Sequence, residues 1–374
     1  KIGRETFRVD GEVDLAKLAA LLPQTLAVRE GTRIDGGSVR VILASQPQDG
    51  HEKFQGKIEV ARLSAVADGR RLEWDVPLQA VVVTHRDGDE FVFDRVTCRS
   101  DFLQADAKGT LTDATFQLKG DLDRLHHNLS RFFDWGIVRL SGQVAANGQI
   151  QRRDGGQVEL RTKTELTNFE LQRRGESPWR EERLEIVASS SARMSEQQQL
   201  RTVESASVRL VSGDDRLDLK LVEPLDWSAP NARWRAVADV VGGLESWQAR
   251  LRPVLTVEGW QVAGQLAAHA EVDSYSLTID VSKLSVGIDN LQARGPEWLI
   301  QEPKLSLETA GRWESATSRW VAPQMVLTGT STAATVSNLD WSQVGASGDA
   351  RFRVHLGNVS RWKVQAQQQP SYFV

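Results

Sequence analysis

The chain has 374 residues, of which 40% are hydrophobic and 26% charged, and its formal net charge is −4. This composition is typical of a folded protein and argues against disorder, and the interspersed charges leave no basic patch for nucleic acid. The length exceeds what one ordinary core needs and predicts two or three units.

Four segments share one pattern, in which an aromatic residue in a strand-like run is followed by a Gly or Asp turn and a helix-like stretch. The segments are 5–18, 114–127, 232–247 and 350–362, and their aromatic residues are Phe7, Phe116, Trp234 and Phe352. Successive aromatic residues lie about 110–120 residues apart, a period typical of a repeat. We therefore predict repeats over 1–113, 114–231 and 232–349, with 350–374 beginning a truncated fourth.

Each of the first three segments is followed by a glycine that opens a new strand, and these glycines are Gly37, Gly142 and Gly264. Apolar and polar residues then alternate in runs that we interpret as strands, at 71–80, 158–166, 217–221 and 275–281. A period of two gives a strand one apolar and one wet face, which suits an antiparallel sheet and not a parallel α/β fold.

Helical spacing of apolar residues is confined to three short stretches, at 15–22, 122–133 and 244–255. Asp121 or Asp123 is a candidate N-cap for the second. The polar stretches HRDGDE, RRDGGQ, RRGESP and VSGDDR are typical of hairpin tips or loops. The predicted fold is mostly β, an elongated antiparallel sheet of about three repeats with one short helix each. The sheet is either half-open, forming a groove, or closed as a sandwich or barrel.

The sequence offers no residues for catalysis or metal binding. None of the six histidines has zinc-type spacing, and the adjacent pair His126 and His127 would point about 100° apart on a helix. The lone Cys98 is interpreted as a small apolar side chain, and HRDGDE lacks the ligands of a calcium loop. We predict a protein that is not an enzyme and has no metal and no cofactor.

The best copy of the repeat is FQLKGDLDRLHHNLSRFFDWGIVRLSGQVAANGQIQ at 116–151, with degenerate copies at 7–46 and 234–273. This element resembles the extracytoplasmic repeats of bacterial AsmA-like and TamB-like proteins. The third copy departs from it, with Gly-Gly-Leu and Ala-Gly in place of Gly-Asp-Leu and Ser-Gly. The resemblance implies a periplasmic segment, anchored to the cell envelope by segments outside this chain and linked to phospholipid traffic between the two membranes.

The leading hypothesis is a non-enzymatic segment that binds or conducts phospholipid, or another acyl-chain ligand, along an apolar β-groove. The candidate groove residues are Leu72, Trp74, Val76, Leu78, Tyr275, Leu277, Ile279 and Val281. The alternative is a structural module of an envelope or surface protein, which would contact partner proteins and have no lipid cavity. A third hypothesis is a carbohydrate-acting or carbohydrate-binding β protein that stacks sugars on exposed tryptophans. The twelve tryptophans are otherwise explained by packing in the core and at the ends of elements.

Overall fold

A computed structural model describes most of the chain. The described residues are 7–22, 25–48, 51–75, 78–88, 90–175, 178–195, 199–229, 232–252, 259–275, 278–296, 298–342, 345–354 and 362–364. Strands make up 75% of the structure and helices 8%, and the strands form an antiparallel sheet that is not closed. The mostly β prediction is confirmed, and the closed sandwich or barrel is wrong.

The chain divides into two compact units, Lys1–Val187 and Ala188–Val374. The elements of the first unit are β1 (Arg8–Asp14), α1 (Leu15–Leu21), β2 (Thr32–Gln48), β3 (His51–Ala67), β4 (Arg70–Trp74), β5 (Leu78–Asp87), β6 (Glu90–Arg99), β7 (Leu103–Gly109), β8 (Ala114–Asp121), α2 (Leu122–Leu129), β9 (Ile137–Arg152), a 3₁₀ turn (Asp154–Gly156) and β10 (Gln157–Arg173). Strand β11 (Trp179–Met194) contains the division between the units.

The second unit also consists mainly of strands, with α3 (Leu244–Leu251) as its helix among the described residues. Its elements are β12 (Leu200–Ser212), β13 (Asp215–Leu221), β14 (Leu225–Asp226), β15 (Trp234–Gly243), α3, β16 (Gln261–Tyr275), β17 (Thr278–Arg294), β18 (Trp298–Glu314), β19 (Arg319–Gly329), β20 (Thr332–Ser342), β21 (Gly345–Val354) and β22 (Trp362–Val364). Among the described residues, no helix is long and apolar enough to cross a membrane.

In both units the strands pair antiparallel, mostly with the next strand along the chain. In the first unit β1 pairs with β2, β2 with β3, and β5 to β10 follow in order. In the second unit β13 pairs with β12 and β15, and β15 to β21 follow in order. Two-residue or slightly longer turns suffice for such pairing, and all four predicted polar tips fall between paired or successive strands.

Two runs that we interpreted as single strands are each two strands. The alternation over 71–80 is divided between β4 and β5, which both pair with β3. The alternation over 275–281 crosses a hairpin, since Tyr275 ends β16 and pairs directly with Thr278 of β17. Period two continues in the sequence through both breaks, so alternation by itself conceals them.

The three predicted helices are present, each shorter than predicted and each beginning at a leucine. Asp14 and Asp121 act as N-caps, because their carboxylates accept the backbone N–H of Lys17 (3.1 Å) and Arg124 (3.0 Å). The pKa of Asp121 lies below its ordinary value, chiefly because of this backbone hydrogen bond.

The N-cap residue of α3 is Gly243, which has no side chain to cap the helix, and a carboxylate from another strand binds its backbone N–H. Asp215 of β13 accepts the Gly243 N–H (2.7 Å) and forms an ion pair with Arg250 of the same helix (2.8 Å). Both side chains of the pair are almost buried, and the Arg250 guanidinium lies 4.7 Å from the centre of the Trp247 ring. One carboxylate therefore both caps α3 and holds it against the sheet.

The same local geometry recurs after each helix. Gly37, Gly142 and Gly264 all have positive φ and lie at irregularities of strand pairing. At Gly142 (φ 112°) a side chain would come within 2.8 Å of the backbone oxygens of Thr167 and Asn168. The glycines that signal the repeat in the sequence are therefore required by the bulge that follows each helix. The repeat boundaries themselves stay predictions.

Helix α1, together with the segments around Val28 and Phe132, packs on the first unit's sheet and forms a buried core with it. This core consists of Ala19, Ile34, Leu63, Ala65 and Phe132, with Leu15, Leu26, Val28, Leu72, Trp74 and Phe133 packed around it. Phe132 and Ala65 have no exposed surface. This part of the sheet is therefore buried on one side.

We expect Gly142→Ala to destabilise the first unit by more than about 2 kcal/mol, because it combines an unfavourable φ with a clash against backbone. The matched control is Gly155→Ala, where φ is also positive (70°) but nothing lies within 4 Å of the added methyl group. We expect the control to cost about 1 kcal/mol. Urea denaturation measures both, and equal losses would contradict the bulge requirement.

We expect Asp215→Ala to cost about 3–5 kcal/mol, because it removes one partner of an almost buried ion pair. Asp121→Ala removes a half-exposed cap with no buried ion pair and should cost about 1 kcal/mol. Denaturant unfolding of the two variants, followed by circular dichroism, compares them directly. A loss at Asp215 no larger than that at Asp121 would show that the ion pair does not hold α3.

Candidate functional site

Strand register places one set of apolar side chains on a single face of the first unit's sheet. Residues that pair directly share a face, so the set can be followed from strand to strand. We call this surface apolar face 1, and it consists of Val9, Val13, Val39, Val41, Leu43, Ile58, Val60, Leu78, Ala80, Val82, Val96, Cys98, Ala105, Ala107, Phe116, Leu118, Val144, Ala146, Leu160 and Leu166.

The opposite side of the same strands is charged. Arg40 of β2 forms a bidentate pair with Asp10 of β1, and Arg99 of β6 contacts Asp106 of β7 at 2.5 Å. The Arg40 guanidinium holds the pKa of Asp10 below its ordinary value. Ion pairs between exposed neighbours contribute little to stability. These charged pairs nevertheless keep this face of the sheet well solvated by water.

Several large side chains of apolar face 1 are exposed. Val9 is 56% exposed, Leu43 47% and Ile58 44%. These are β-branched or branched aliphatic residues in the first three strands, and such residues are normally buried in globular proteins. A contiguous exposed apolar surface of this kind marks an interaction or ligand-binding site.

The second unit repeats the arrangement. Its apolar face 2 consists of Val208, Leu210, Leu217, Leu219, Leu221, Ala236, Ala238, Val240, Leu266, Ala268, Ala270, Val272, Ile279, Val281, Leu284, Val286, Ile288, Leu305, Leu307, Trp313, Trp320, Met325, Leu327, Ala334, Val336, Trp341, Ala350 and Phe352. Trp313 and Trp341 stack with ring centroids 6.3 Å apart. Trp341 is 47% exposed and Phe352 is 74% exposed.

The charged side of the second unit contains a ladder of cross-strand pairs. Arg209 contacts Asp218 (2.6 Å), and His269 contacts Asp239 (2.8 Å). The hydrogen bond from Arg209 lowers the pKa of Asp218, and the hydrogen bond to Asp239 raises the pKa of His269. A depression of ≈ 650 Å³ lies among these groups and Arg216.

The structure distributes the predicted groove residues over different environments. Leu78 lies on apolar face 1 opposite Val60, and Ile279 and Val281 lie on apolar face 2. Leu72 and Trp74 share the orientation of face 1 but pack against the core that α1 covers.

Val76 and Leu277 lie outside the described residues. The alternation predicts Tyr275 on the same face as Ile279 and Val281, and this prediction is wrong. The hairpin pairs Tyr275 with Thr278, whereas Ile279 pairs with Ser274. Neighbouring residues point to opposite faces, so Tyr275 lies on the charged side of the sheet. It is 56% exposed there.

Sequence reasoning missed most of the two apolar faces. Strands β7 (LQADAKG) and β16 (QVAGQLAAHAEVDSY) contribute mainly alanines, which we did not count as an apolar alternation. Small residues at alternate positions were the signal that could have identified these strands. Their face became evident only when register aligned them with the large residues of neighbouring strands.

Comparison with protein-family models, curated proteins and solved structures gives no match. In the part of the chain that the structure describes, no group of three or more His, Cys, Asp or Glu side chains could hold a metal ion. The two apolar faces are therefore the features on which a functional proposal can be based.

The raised pKa of His269 makes a pH-dependent contribution to stability. Protonated His269 is favoured in the folded state, so this contribution is fully present below the ordinary pKa of 6.5 and is lost as pH rises through the folded-state pKa. We expect the thermal midpoint to fall over that interval in the native protein, and to fall less in His269→Gln. Titration of the His269 ring by NMR in Asp239→Asn should give a lower pKa, and an unchanged pKa would contradict this account.

Proposed function

We propose that this chain is a non-enzymatic segment that binds phospholipid or another acyl-chain ligand on its apolar sheet faces. The observation that carries the proposal is the register itself, which collects apolar side chains on one side of each unit and charges on the other. A sheet that is not closed leaves such a face available for an apolar ligand.

The chemistry of apolar face 1 suits hydrocarbon chains. Its middle strands carry small side chains, such as Ala80, Cys98 and Ala105, which pair directly across β5, β6 and β7. Larger side chains flank them, including Val82 and Leu118. Burying hydrocarbon against such a surface gains about 0.8 kcal/mol per CH₂ group, so a single acyl chain supplies enough free energy for binding.

Apolar face 1 is buried at one end and exposed further along the same strands. Leu63 and Ala65 of β3 are buried in the core that includes Ala19 of α1, whereas Ile58 of the same strand is half-exposed. An acyl chain that lies on apolar face 1 would therefore contact the buried core at one end, and its other end would lie near water. This asymmetry favours an amphiphile over a wholly apolar ligand, because one part of the ligand stays near water.

The proposed setting rests on the repeat-level resemblance to AsmA-like and TamB-like proteins. We propose a periplasmic location, with anchoring to the envelope by segments outside this chain and transport of phospholipid between membranes as the role. Contact with other envelope proteins belongs to the same proposal. The ion pairs on the charged side of each unit's sheet are compatible with a segment surrounded by water.

The proposal is tested by native mass spectrometry of the purified protein, followed by organic extraction and lipid analysis. We expect near-stoichiometric phospholipid or fatty acid on the native chain. The double variant Leu43→Asp, Ile58→Asp places two charges on apolar face 1 and should reduce the lipid bound to the first unit by at least about tenfold, since charges are excluded from hydrocarbon contacts.

The matched control is Val81→Asp, Val83→Asp, on the charged side of β5. These positions pair with Lys57 and Arg95, so the new carboxylates meet cations there. We expect the control to keep its lipid and its β circular dichroism. Equal lipid loss in both double variants, or no lipid on the native protein after exposure to phosphatidylethanolamine vesicles, would refute lipid binding on this face.

A further inference from the structure

On the charged side of the second unit, two guanidinium groups share a single carboxylate. The Nε atom of Arg209 lies 2.6 Å from Oδ1 of Asp218, and the Nε atom of Arg216 lies 2.8 Å from Oδ2. The hydrogen bond from Arg209 is the main reason that the pKa of Asp218 is lowered, and the charges of Arg216 and Lys220 lower it further. Three cations therefore surround one anion.

The shared carboxylate leaves cationic donors without a partner. Arg312, by contrast, has Asp280 as its own carboxylate and bonds it through both Nε and Nη2. In the part of the chain that the structure describes, the Nη groups of Arg209 and Arg216 form no hydrogen bond, and Lys220 forms no ion pair. Both guanidinium groups are more than half exposed, so an anion from solution can reach them.

A depression of ≈ 650 Å³ lies beside these cations, and small side chains form its floor. Val241 pairs directly with Ala267, and Ala267 pairs with Gly287 on the next strand. A side chain added at Gly287 would have only a backbone oxygen nearby, at 3.7 Å. Arg216 pairs with Val241 and therefore lies at one end of this row. The depression thus combines a small apolar floor with a cationic side.

The depression is positively charged, although the whole chain has a formal net charge of −4. Among the residues that line it, three permanent cations lie with two carboxylates, and protonation of His269 adds a fourth cation. The second carboxylate, Asp239, is bonded to His269 at 2.8 Å. The surplus of positive charge therefore belongs to Arg209, Arg216 and Lys220.

We propose that this depression binds a phosphate monoester, with the organic part of the ligand resting on the floor of small side chains. The Nη groups of Arg209 and Arg216 donate to the phosphate oxygens, and the Lys220 ammonium supplies a further donor. Guanidinium groups suit this role because their planar fork matches two oxygens of a phosphate. The site lies on the side of the sheet opposite apolar face 2, so it is distinct from the proposed lipid surface.

Isothermal titration calorimetry with phenyl phosphate, at neutral pH and low salt, tests the proposal. We expect one site per chain, and binding about tenfold tighter than that of inorganic phosphate, because the phenyl ring covers the apolar floor. Arg209→Gln and Arg216→Gln should each weaken binding about tenfold, since each removes a charged donor. Ala267→Leu fills the floor and should abolish the preference for phenyl phosphate.

The matched control is Arg312→Gln, because Arg312 and Arg209 are equally exposed (57%) and both lie on the charged side. The control removes the same charge but leaves the shared carboxylate intact. It should leave the affinity unchanged, and circular dichroism should show all variants folded. No measurable binding of phenyl phosphate, or an equal loss in the control and the two test variants, would overturn the proposal.

The phosphate group can belong to a free organic phosphate or to a lipid headgroup, and vesicles distinguish these sources. The probe is flotation with phosphatidylcholine vesicles that contain phosphatidic acid, whose headgroup is a phosphate monoester. Flotation that Arg216→Gln reduces, and Arg312→Gln does not, assigns the site to a lipid headgroup. Binding of phenyl phosphate without such flotation assigns it to a free organic phosphate. Lipid binding on the apolar faces is a separate measurement and can fail without affecting either result.

Discussion

The structure depends on strand register, because register decides which side chains share a face. A shift of one residue would transfer every apolar side chain to the charged side. The bulges after the helices change the phase of a strand, and glycines such as Gly142 permit the backbone geometry that this requires. Register, and not a buried core extending through the sheet, therefore separates apolar from charged surface in each unit.

The helices contribute stability at limited places. Helix α1 supplies the packed end of the first unit, with Ala19 and Phe132 among its buried residues. Helix α3 is held by the buried pair of Asp215 and Arg250, whereas α2 has an ordinary capping aspartate. The same strand–helix element thus recurs with different means of attachment, as expected where neighbouring repeats share an architecture and not each contact.

The proposed function follows from apolar surface that the sheet leaves exposed. Among the described residues, Val9, Leu43 and Ile58 of apolar face 1 and Trp341 and Phe352 of apolar face 2 keep large exposed fractions. Exposed apolar area of this kind favours a hydrocarbon ligand.

The mostly β composition, the positions of the three helices and the glycines that follow them could all be predicted from the amino-acid sequence. These are local properties, because side-chain period, capping and backbone freedom act within a few residues. Sequence reasoning misplaced Tyr275, since alternation continues unchanged through a two-residue hairpin. It also overlooked the alanine-rich strands, whose apolar character depends on their neighbours.

Three features could be seen only in the folded chain: the sheet is not closed, Leu72 and Trp74 pack against the buried core around Ala19 and Phe132, and Asp215 binds the N-terminus of helix α3. These features depend on contacts between residues far apart in sequence. No local period encodes such contacts, because they arise from register and packing across the whole sheet.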